Sequence, residues 1–337
     1  LMSPSLEYLE RCAAETGFQV TPLEKVVRLG EMAADVARHP FLGSVLALKG
    51  GTALNLCFEA PRRLSVDLDF NYIGHVEREK MLEDRPRVEA AVADLARRRG
   101  YRVQQSADAF AGRKLYLRYR STLGPEERIE VDLNYLFRVP LGETEMLPVW
   151  QPGELDRPRV RVVSITELLA GKLLALLDRG AARDAWDVAN LPGPATKELK
   201  SRWFRARFIA LSAILVHPLA NYRRQRIESL VTERAVVEQL GPMLVADETP
   251  GAKDLVERAW AVVGPLLTLE ANEKAYLAAV HAGVLRAELL FPGEPAEAAR
   301  IASHPAILWK IENVRAHREL QGGEANRSGP NDAPTEG

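Results

Sequence analysis

Hydrophobic residues recur along the first half of the chain with both helical and strand periods. Residues 22–38 predict an amphipathic helix whose apolar face consists of Leu23, Val26, Val27, Met32 and Val36. Residues 44–48 form a short apolar run that meets a pair of glycines. This second pattern predicts a strand, a tight turn and a helix that opens at Thr52.

Period-two alternation predicts the strands of a single sheet. Residues 66–70 alternate, and so do residues 101–105, 114–119 and 128–136, while residues 159–163 predict an edge strand. A long charged helix is predicted over residues 77–99, closed by Gly100. These elements together indicate a mixed sheet flanked by helices.

Helical spacing prevails in the second half of the chain, from Ile165 to Leu320. We therefore expect an α/β (α+β) domain over residues 1–192 and an all-helical C-terminal domain over residues 193–320. Residues 321–337 contain no large apolar residue, which predicts a disordered tail.

Composition excludes several classes of protein. The 337 residues include 45 Lys and Arg against 46 Asp and Glu, so a nucleic acid could be attracted only by a local basic patch. Two cysteines, Cys12 and Cys57, are too few for a disulfide framework or a four-ligand zinc site. The apolar runs are too short to span a membrane. We expect a reduced, cytoplasmic protein.

Two aspartates on one predicted strand are the first candidates for chemistry. Asp67 and Asp69 are two residues apart, so their side chains point to the same face, with Leu68 on the opposite face. Two carboxylates side by side repel each other unless a cation lies between them, and Mg²⁺ prefers oxygen ligands. A chance Asp-x-Asp on an exposed strand is the alternative.

A later strand repeats this arrangement with Glu130 and Asp132. A third carboxylate from a neighbouring strand would complete the ligands for two metal ions of a phosphoryl-transfer site. Asp132 is the expected third ligand and Glu130 the alternative, because parity places both on one face.

A glycine turn precedes the aspartates. Gly50, Gly51 and Thr52 join a strand to a helix N-terminus, where free N–H groups attract phosphate. Ser65 lies two residues before Asp67 and offers a hydroxyl to a phosphate oxygen, or it is a strand-edge serine.

Lys172 interrupts an apolar helical stripe. Its neighbours on that stripe are Leu168, Leu169 and Leu176, so its charge needs either a negative partner or a snorkelling path to water. Asp184 and Asp187 share a face of the next helix. They would clamp a nucleotide or Lys172, or they would cap the helix and pair with Arg179 or Arg183.

Two separate blocks of sequence resemble the AbiEii/AbiGii toxin family of nucleotidyltransferases. The first comprises residues 48–56 (LKGGTALNL) and 63–70 (RLSVDLDF), and the second comprises residues 172–179 (KLLALLDR) and 182–188 (ARDAWDV). The family's usual phenylalanine before the serine is replaced here by Leu64, a conservative change.

The resemblance implies a polymerase-β-like nucleotidyltransferase core followed by a helical domain, in a toxin of a type IV toxin–antitoxin system linked to abortive infection. It implies metal-dependent transfer of a nucleotide from an NTP, with the 3′ end of tRNA as acceptor in some members, and a cognate antitoxin as partner.

Carried over by position, the resemblance assigns catalysis to Asp67, Asp69, Lys172 and Asp184. Two Mg²⁺ ions would be held by Asp67, Asp69 and Asp132. The residues expected to bind the nucleotide are Gly50, Gly51, Thr52, Ser65, Lys172, Arg183 and Asp187.

A basic stretch interleaved with aromatic residues opens the helical half and is the candidate RNA surface. Its expected RNA-binding residues are Arg202, Arg205, Arg207, Arg223 and Arg224. An ordinary solvated helix has the same pattern. Transfer to a protein or a small molecule, and a non-catalytic module that binds an NTP or an antitoxin, are the alternatives to RNA modification.

Overall fold

A computed structural model describes residues 4–107 and 111–327 of the chain. The strands are β1 (Leu46–Lys49), β2 (Asp67–Tyr72), β3 (Arg102–Gln105), β4 (Gly112–Arg120), β5 (Glu126–Asn134), β6 (Glu145–Pro148) and β7 (Arg159–Val162). The helices of the first half are α1 (Leu6–Thr16), α2 (Val20–Arg38), α3 (Leu42–Val45), α4 (Gly50–Leu56) and α5 (Arg78–Arg98).

The second half of the described chain is helical. Its helices are α6 (Ile165–Asp178), α7 (Ala182–Ala189), α8 (Gly193–Glu198), α9 (Phe204–Ser212), α10 (Arg224–Leu230), α11 (Glu233–Ala235), α12 (Ala252–Val263), α13 (Ala271–His281), α14 (Pro295–Ala302) and α15 (Pro305–Arg327). A π-helical turn at Val236–Leu240 and short 3₁₀ turns link some of them. Helix α15 continues past residue 321, where the tail was expected to begin, and residues 328–337 lie outside the described residues.

The sheet has the strand order β3-β4-β5-β2-β1-β7-β6 and is mixed. Strand β2 runs parallel to β5, and β1 runs parallel to β7, while the other neighbours are antiparallel. The predicted α/β class, with a mixed sheet followed by helices, is confirmed. Strand β6 was not predicted, because its four residues (EMLP) show no clear alternation and form a strand by pairing with β7.

Strand β1 lies later, and helix α4 begins earlier, than the sequence pattern predicts. The strand was expected over residues 44–48, but residues 42–45 form α3, and the following helix opens at Gly50 rather than at Thr52. Gly50 has a φ of +73°, a conformation that only glycine adopts without cost. A Cβ at this position would also stand 2.2 Å from Oδ2 of Asp69. The turn therefore brings the backbone directly against the carboxylate strand.

One face of the sheet is apolar and the other carries the polar residues. Leu68 and Phe70 of β2 and Val131 and Leu133 of β5 are buried in a core that they share with α2 and α5. The opposite face meets α4, which in turn packs against α6. Because side chains alternate along a strand, the polar residues of β2 and β5 point towards that second face.

Helix α6 is anchored to the polar face of the sheet by a buried glutamate. Glu167 accepts hydrogen bonds from Nδ2 of Asn71 at 2.8 Å and from the backbone N–H of Leu141 at 3.2 Å. Ser164 caps the same helix by accepting from the N–H of Glu167. Complete burial raises the pKa of Glu167 to about 7.

The expected RNA-binding arginines of α9 hold helices together instead. Arg205 forms two hydrogen bonds with the buried Glu273 of α13, at 2.6 and 2.8 Å, and Arg207 pairs with Glu297 of α14 at 2.8 Å. The aromatic residue Phe208, expected to alternate with these cations, is fully buried. These contacts favour helix packing as the reason for the basic and aromatic pattern, and RNA binding by Arg205 and Arg207 stays a prediction.

The remaining three arginines of that prediction are also engaged within the chain. Arg202 pairs with Glu294 at 3.2 Å, and Arg224 pairs with Glu228 at 2.7 Å. Arg223 donates to the backbone carbonyls of Ala220 and Tyr222. These side chains are more exposed than Arg205, and each has an internal partner. RNA binding by the three arginines stays a prediction.

Among the described residues, none of the helices combines the length and the apolar character that a membrane crossing requires.

The raised pKa of Glu167 predicts a pH-dependent stability. The unfolded chain releases this proton near the ordinary pKa of 4.5, whereas the folded protein retains it up to about pH 7. The contribution of Glu167 to the free energy of unfolding is therefore fully present below pH 4.5. It is lost as the pH rises from 4.5 through 7, by on the order of 3 kcal/mol. Glu167→Gln should gain stability relative to the wild type between pH 5 and pH 8, as measured by urea unfolding. A stability difference between Glu167→Gln and the wild type that stays constant with pH would contradict this prediction.

Arg205 and Arg202 give a matched test of the helix-packing role. Arg205→Ala should lower the free energy of unfolding by about 2 kcal/mol, because Glu273 would remain buried without its cation. Arg202→Ala should cost less than about 0.5 kcal/mol, because both partners of that pair are exposed. Equal costs in urea unfolding would show that the two pairs do not differ in this way.

Candidate active site

Four carboxylates meet on the polar face of the sheet. The parallel register of β2 and β5 places Asp67 beside Glu130 and Asp69 beside Asp132. The intervening residue Leu68 points to the core on the other face. The register therefore brings both candidates for the third carboxylate next to the aspartate pair, one beside each aspartate.

The carboxylates repel one another. Burial and the charge of Asp69 raise the pKa of Asp67, and the same two causes raise the pKa of Asp132. A divalent cation among them would reverse this repulsion, and oxygen donors of this kind suit a hard ion such as Mg²⁺. No three His, Cys, Asp or Glu side chains within residues 4–107 and 111–327 form a ready metal site. The donors thus fit the ion in type and charge, although they do not form a complete cage.

Cationic side chains already neutralise part of this charge. Nζ of Lys114, on β4, lies 3.5 Å from Oε2 of Glu130 and 3.8 Å from Oδ2 of Asp132. Although partial burial opposes it, the attraction of these two carboxylates raises the pKa of Lys114. Arg183 approaches Asp67 with 3.6 Å between Nη1 and Oδ2.

The fully buried carboxylate of Asp187, which is not one of the four carboxylates on the sheet, organises the cations on the other side of the cleft. Asp187 accepts two hydrogen bonds from Arg63, at 2.9 and 3.0 Å, and one from Asn55 at 3.0 Å. Its Oδ2 also lies 2.6 Å from Nζ of Lys172. Burial alone would raise the pKa of Asp187, but Arg63 and Lys172 outweigh it and hold the pKa below its usual range.

Asp184 orients Arg179 in the way that Asp187 orients Arg63. Two hydrogen bonds of 2.6 and 2.8 Å join Arg179 to its carboxylate, and Lys172 lies 3.5 Å from its Oδ1. Asp184 and Asp187 are 0% and 1% exposed and do not line the cleft. These contacts match the alternatives in which Asp187 clamps Lys172 and Asp184 pairs with Arg179. A catalytic role for Asp184 and a nucleotide contact for Asp187 stay predictions.

The glycine turn and the serine lie at the same cleft. A Cβ on Gly51 would stand 2.8 Å from Oγ of Ser65 and 3.5 Å from Nζ of Lys172, so only a glycine leaves these groups free to approach a ligand. Thr52 is completely buried, and its hydroxyl donates to the backbone carbonyl of Asp67. The Thr52 side chain therefore ties α4 to β2, and a contact of its backbone with the nucleotide stays a prediction.

The resulting cleft encloses about 140 Å³ and brings together carboxylates and cations from distant parts of the chain. Its lining comprises Gly51, Arg63, Ser65, Asp67, Asp69, Lys114, Glu130, Asp132, Lys172, Arg179 and Arg183. Arg63 and Lys114 were not predicted as site residues. Arg63 lies inside a quoted motif, which was a usable signal, whereas the position of Lys114 depends on the register between β4 and β5.

A charged cleft of this composition can bind a polyphosphate together with divalent ions. Cations attract the phosphate oxygens, and the carboxylates supply ligands to metal ions that bridge to the same phosphates. Five of its side chains are cationic and four are acidic, which suits a ligand that carries several negative charges and its own metal ions.

Comparisons with known proteins address the fold and the family of the chain. A sequence search of functionally characterised proteins gives no match. Among solved structures, the chain is similar to MenT4, a nucleotidyltransferase toxin from Mycobacterium tuberculosis H37Rv, with a TM-score of 0.57 and 21% sequence identity. The similarity covers 87% of this chain and 97% of that one, and at this identity it shows a shared fold.

The sequence also matches a family described as nucleotidyl transferase AbiEii toxin, type IV toxin–antitoxin system, over residues 34–254. The matched region exceeds half of the chain and includes each residue that lines the cleft. The chain therefore belongs to the AbiEii family of nucleotidyltransferase toxins.

Proposed function

We propose that the chain transfers a nucleoside monophosphate from an NTP to the 3′ end of a tRNA and thereby blocks translation. The observation that carries this proposal is the parallel register of β2 and β5, which sets Asp67 and Asp69 beside Glu130 and Asp132. These carboxylates share one cleft with cations that a triphosphate requires. Family membership supports the nucleotidyl transfer, and a cytoplasmic location and a cognate antitoxin are parts of the same proposal.

Asp67, Asp69 and Asp132 are the proposed ligands of two Mg²⁺ ions, and Glu130 is the nearest further carboxylate. When bound, these ions would activate the acceptor hydroxyl and stabilise the departing pyrophosphate. The carboxylates must be ionised for this role, and the repulsion that raises the pKa of Asp67 and Asp132 disappears when positive charge enters the cleft.

The cations of the cleft bind and orient the triphosphate. Arg63 and Lys172 are fixed by Asp187, so little conformational entropy is lost when they meet phosphate oxygens. Lys172 offers a compact charge to the phosphoryl group at which negative charge develops. Ser65 and the backbone at Gly51, which lie beside Arg63 and Lys172, contact the phosphates from the same side of the cleft.

The open sheet face beside the carboxylates is the proposed path of the acceptor. Tyr116 is paired with Glu130 across β4 and β5, and the guanidinium of Arg128 lies 5.0 Å from the centre of its ring. Arg118 follows on the same face of β4 and is partly exposed. An aromatic ring flanked by cations suits a single-stranded RNA end, whose bases stack while its phosphates pair with arginine.

A protein or small-molecule acceptor is the second candidate. Each of the five arginines first expected to bind RNA has an internal partner, which gives less support to the largest basic surface that the sequence predicted. The sheet face, by contrast, also carries Glu126 and Glu130 and is less strongly positive than a typical RNA surface.

The decisive experiment incubates the protein with each α-labelled NTP, Mg²⁺ and total cellular RNA, beside an Asp69→Asn variant. Label on a band of tRNA size that is absent with the variant would support the proposal and identify the donor. Label on protein or on a small molecule would replace tRNA with the second candidate. Metal-dependent NTP binding without pyrophosphate release would indicate a binding module and contradict the proposed transfer.

Asp69→Asn should separate activity from stability. Transfer should fall on the order of 100-fold or more, because a ligand and a negative charge are lost at the centre of the cleft. The melting temperature without metal should stay the same or rise, since Asp69 raises the pKa of both Asp67 and Asp132 by repulsion. Differential scanning calorimetry measures the melting temperature, and the labelling assay measures transfer. A large loss of stability would show that Asp69 has a structural role.

Tyr116→Ala should weaken binding of the RNA acceptor rather than binding of the nucleotide. Loss of one stacking ring is expected to raise KM for RNA about 10-fold while leaving KM for the NTP within about 2-fold. Arg224→Ala is the matched control, because this exposed arginine lies on α10 in the helical half, pairs with Glu228 and should leave both constants unchanged. If Arg224→Ala weakens RNA binding and Tyr116→Ala does not, the acceptor path lies on the helical half instead.

A further inference from the structure

A second cavity, of about 320 Å³, adjoins the carboxylate cleft. The two share Gly51, Asp69, Asp132, Lys172 and Arg179 on their common border. The second cavity continues from this border between the polar face of the sheet, helix α6 and the end of α9. A ligand held at the carboxylates therefore has space to extend in this direction.

The walls of this cavity differ from those of the cleft. Phe137, Leu168, Leu211 and Ile214 give it apolar sides, whereas polar groups from Asn71 and Glu167 lie at its sheet end. Pockets of this size that combine apolar walls with a few fixed polar groups are typical of sites for small organic ligands. Lys49 also lines this cavity, in addition to the cations Lys172 and Arg179 on the common border.

A glycine inside helix α6 keeps the cavity open. Gly171 lies in the middle of the helix and borders the cavity, and a Cβ added there would meet no heavy atom within 4 Å. A glycine in a helix interior costs about 1 kcal/mol relative to alanine. Because no neighbouring group requires this glycine, the free space beside the helix is the feature that a larger residue would remove.

A buried polar atom lacks a partner at the same place. Asn71 is 1% exposed and donates its Nδ2 to Glu167, but its Oδ1 has no hydrogen-bond partner. An unsatisfied buried acceptor costs about 1–3 kcal/mol. Asn71 follows Asp67 and Asp69 at two-residue spacing on β2, so it lies on the same face of the strand as the carboxylates and borders the cavity.

We propose that this cavity receives the nucleobase of the NTP and that Asn71 and Gly171 determine which bases fit. The inference rests on the proposed function, which places the triphosphate in the adjoining cleft. A nucleobase has two apolar faces, which match the apolar walls, and N–H donors on one edge, which match Oδ1 of Asn71. Gly171 provides the space beside helix α6 that the flat ring requires.

Substitutions at Gly171 test the cavity without disturbing the cleft. Calorimetric titrations with Mg²⁺ would compare the four NTPs with inorganic tripolyphosphate, which has the same phosphate chain but no base. Gly171→Leu should raise Kd for the NTPs by about 10-fold and leave Kd for tripolyphosphate within about 2-fold. Gly171→Ala is the matched control, with a smaller effect on Kd and an equal or higher melting temperature.

The outcomes separate this inference from the proposed function. If Gly171→Leu binds NTPs and tripolyphosphate as tightly as the wild type does, the base lies elsewhere while the triphosphate site stands. If it weakens both ligands equally, the cavity does not distinguish the base and the inference is also wrong. If the wild type binds neither ligand, the proposed function fails and the inference fails with it.

Asn71→Ser tests the selectivity with an independent measurement. A shorter hydroxyl cannot reach the base edge in the same way, so the ratios of kcat/KM among the four NTPs should change by at least about 5-fold. A purely structural role would lower the four values by the same factor and leave the ratios unchanged. Unchanged ratios would therefore overturn the assignment of Asn71.

Discussion

The buried carboxylate of Asp187 is the interaction on which the cleft depends. It joins Arg63 before β2, Asn55 on α4 and Lys172 on α6, so two distant parts of the sequence meet at one group. Two cations around one buried carboxylate leave an excess positive charge that is directed towards the cleft. A buried charge is tolerated when it is paired and hydrogen-bonded, and Asp187 meets both conditions. The pairing that stabilises the fold also fixes the cations in the orientation that a triphosphate needs.

The opposite wall of the cleft has an excess of negative charge. Asp67, Asp69 and Asp132 are kept close by the register of β2 and β5, and the structure relieves their repulsion only partly, through Lys114 and Arg183. An exclusively stabilising design would have spread these charges over the surface. Their concentration opposite a set of fixed cations makes sense for a ligand that carries negative phosphates and positive metal ions together, because each wall then meets the charge that it lacks.

The sequence predicted local features well and long-range pairings poorly. Alternation revealed β2 and β5, and parity placed the aspartates on one face, because both depend on neighbours along the chain. Parity placed Asp132 and Glu130 on one face, and the strand register sets one beside each aspartate, so the choice of Asp132 stays a proposal. The stretch that begins α9 looked basic and aromatic, but its arginines pair with Glu273 and Glu297, which lie 68 and 90 residues away. A one-dimensional charge pattern cannot show such partners.

Helix α6 shows how one element combines several of these requirements. Glu167 fixes the helix to the sheet through Asn71, Gly171 lies one turn later beside the cavity, and Lys172 follows at the cleft. A helical rotation of 100° per residue places Glu167 and Gly171 on nearly the same side and turns Lys172 further round towards Asp187. Any shift of the helix along the sheet would displace the three together. The position of Lys172, which looked anomalous in an apolar stripe, therefore follows from the anchor five residues earlier in the sequence.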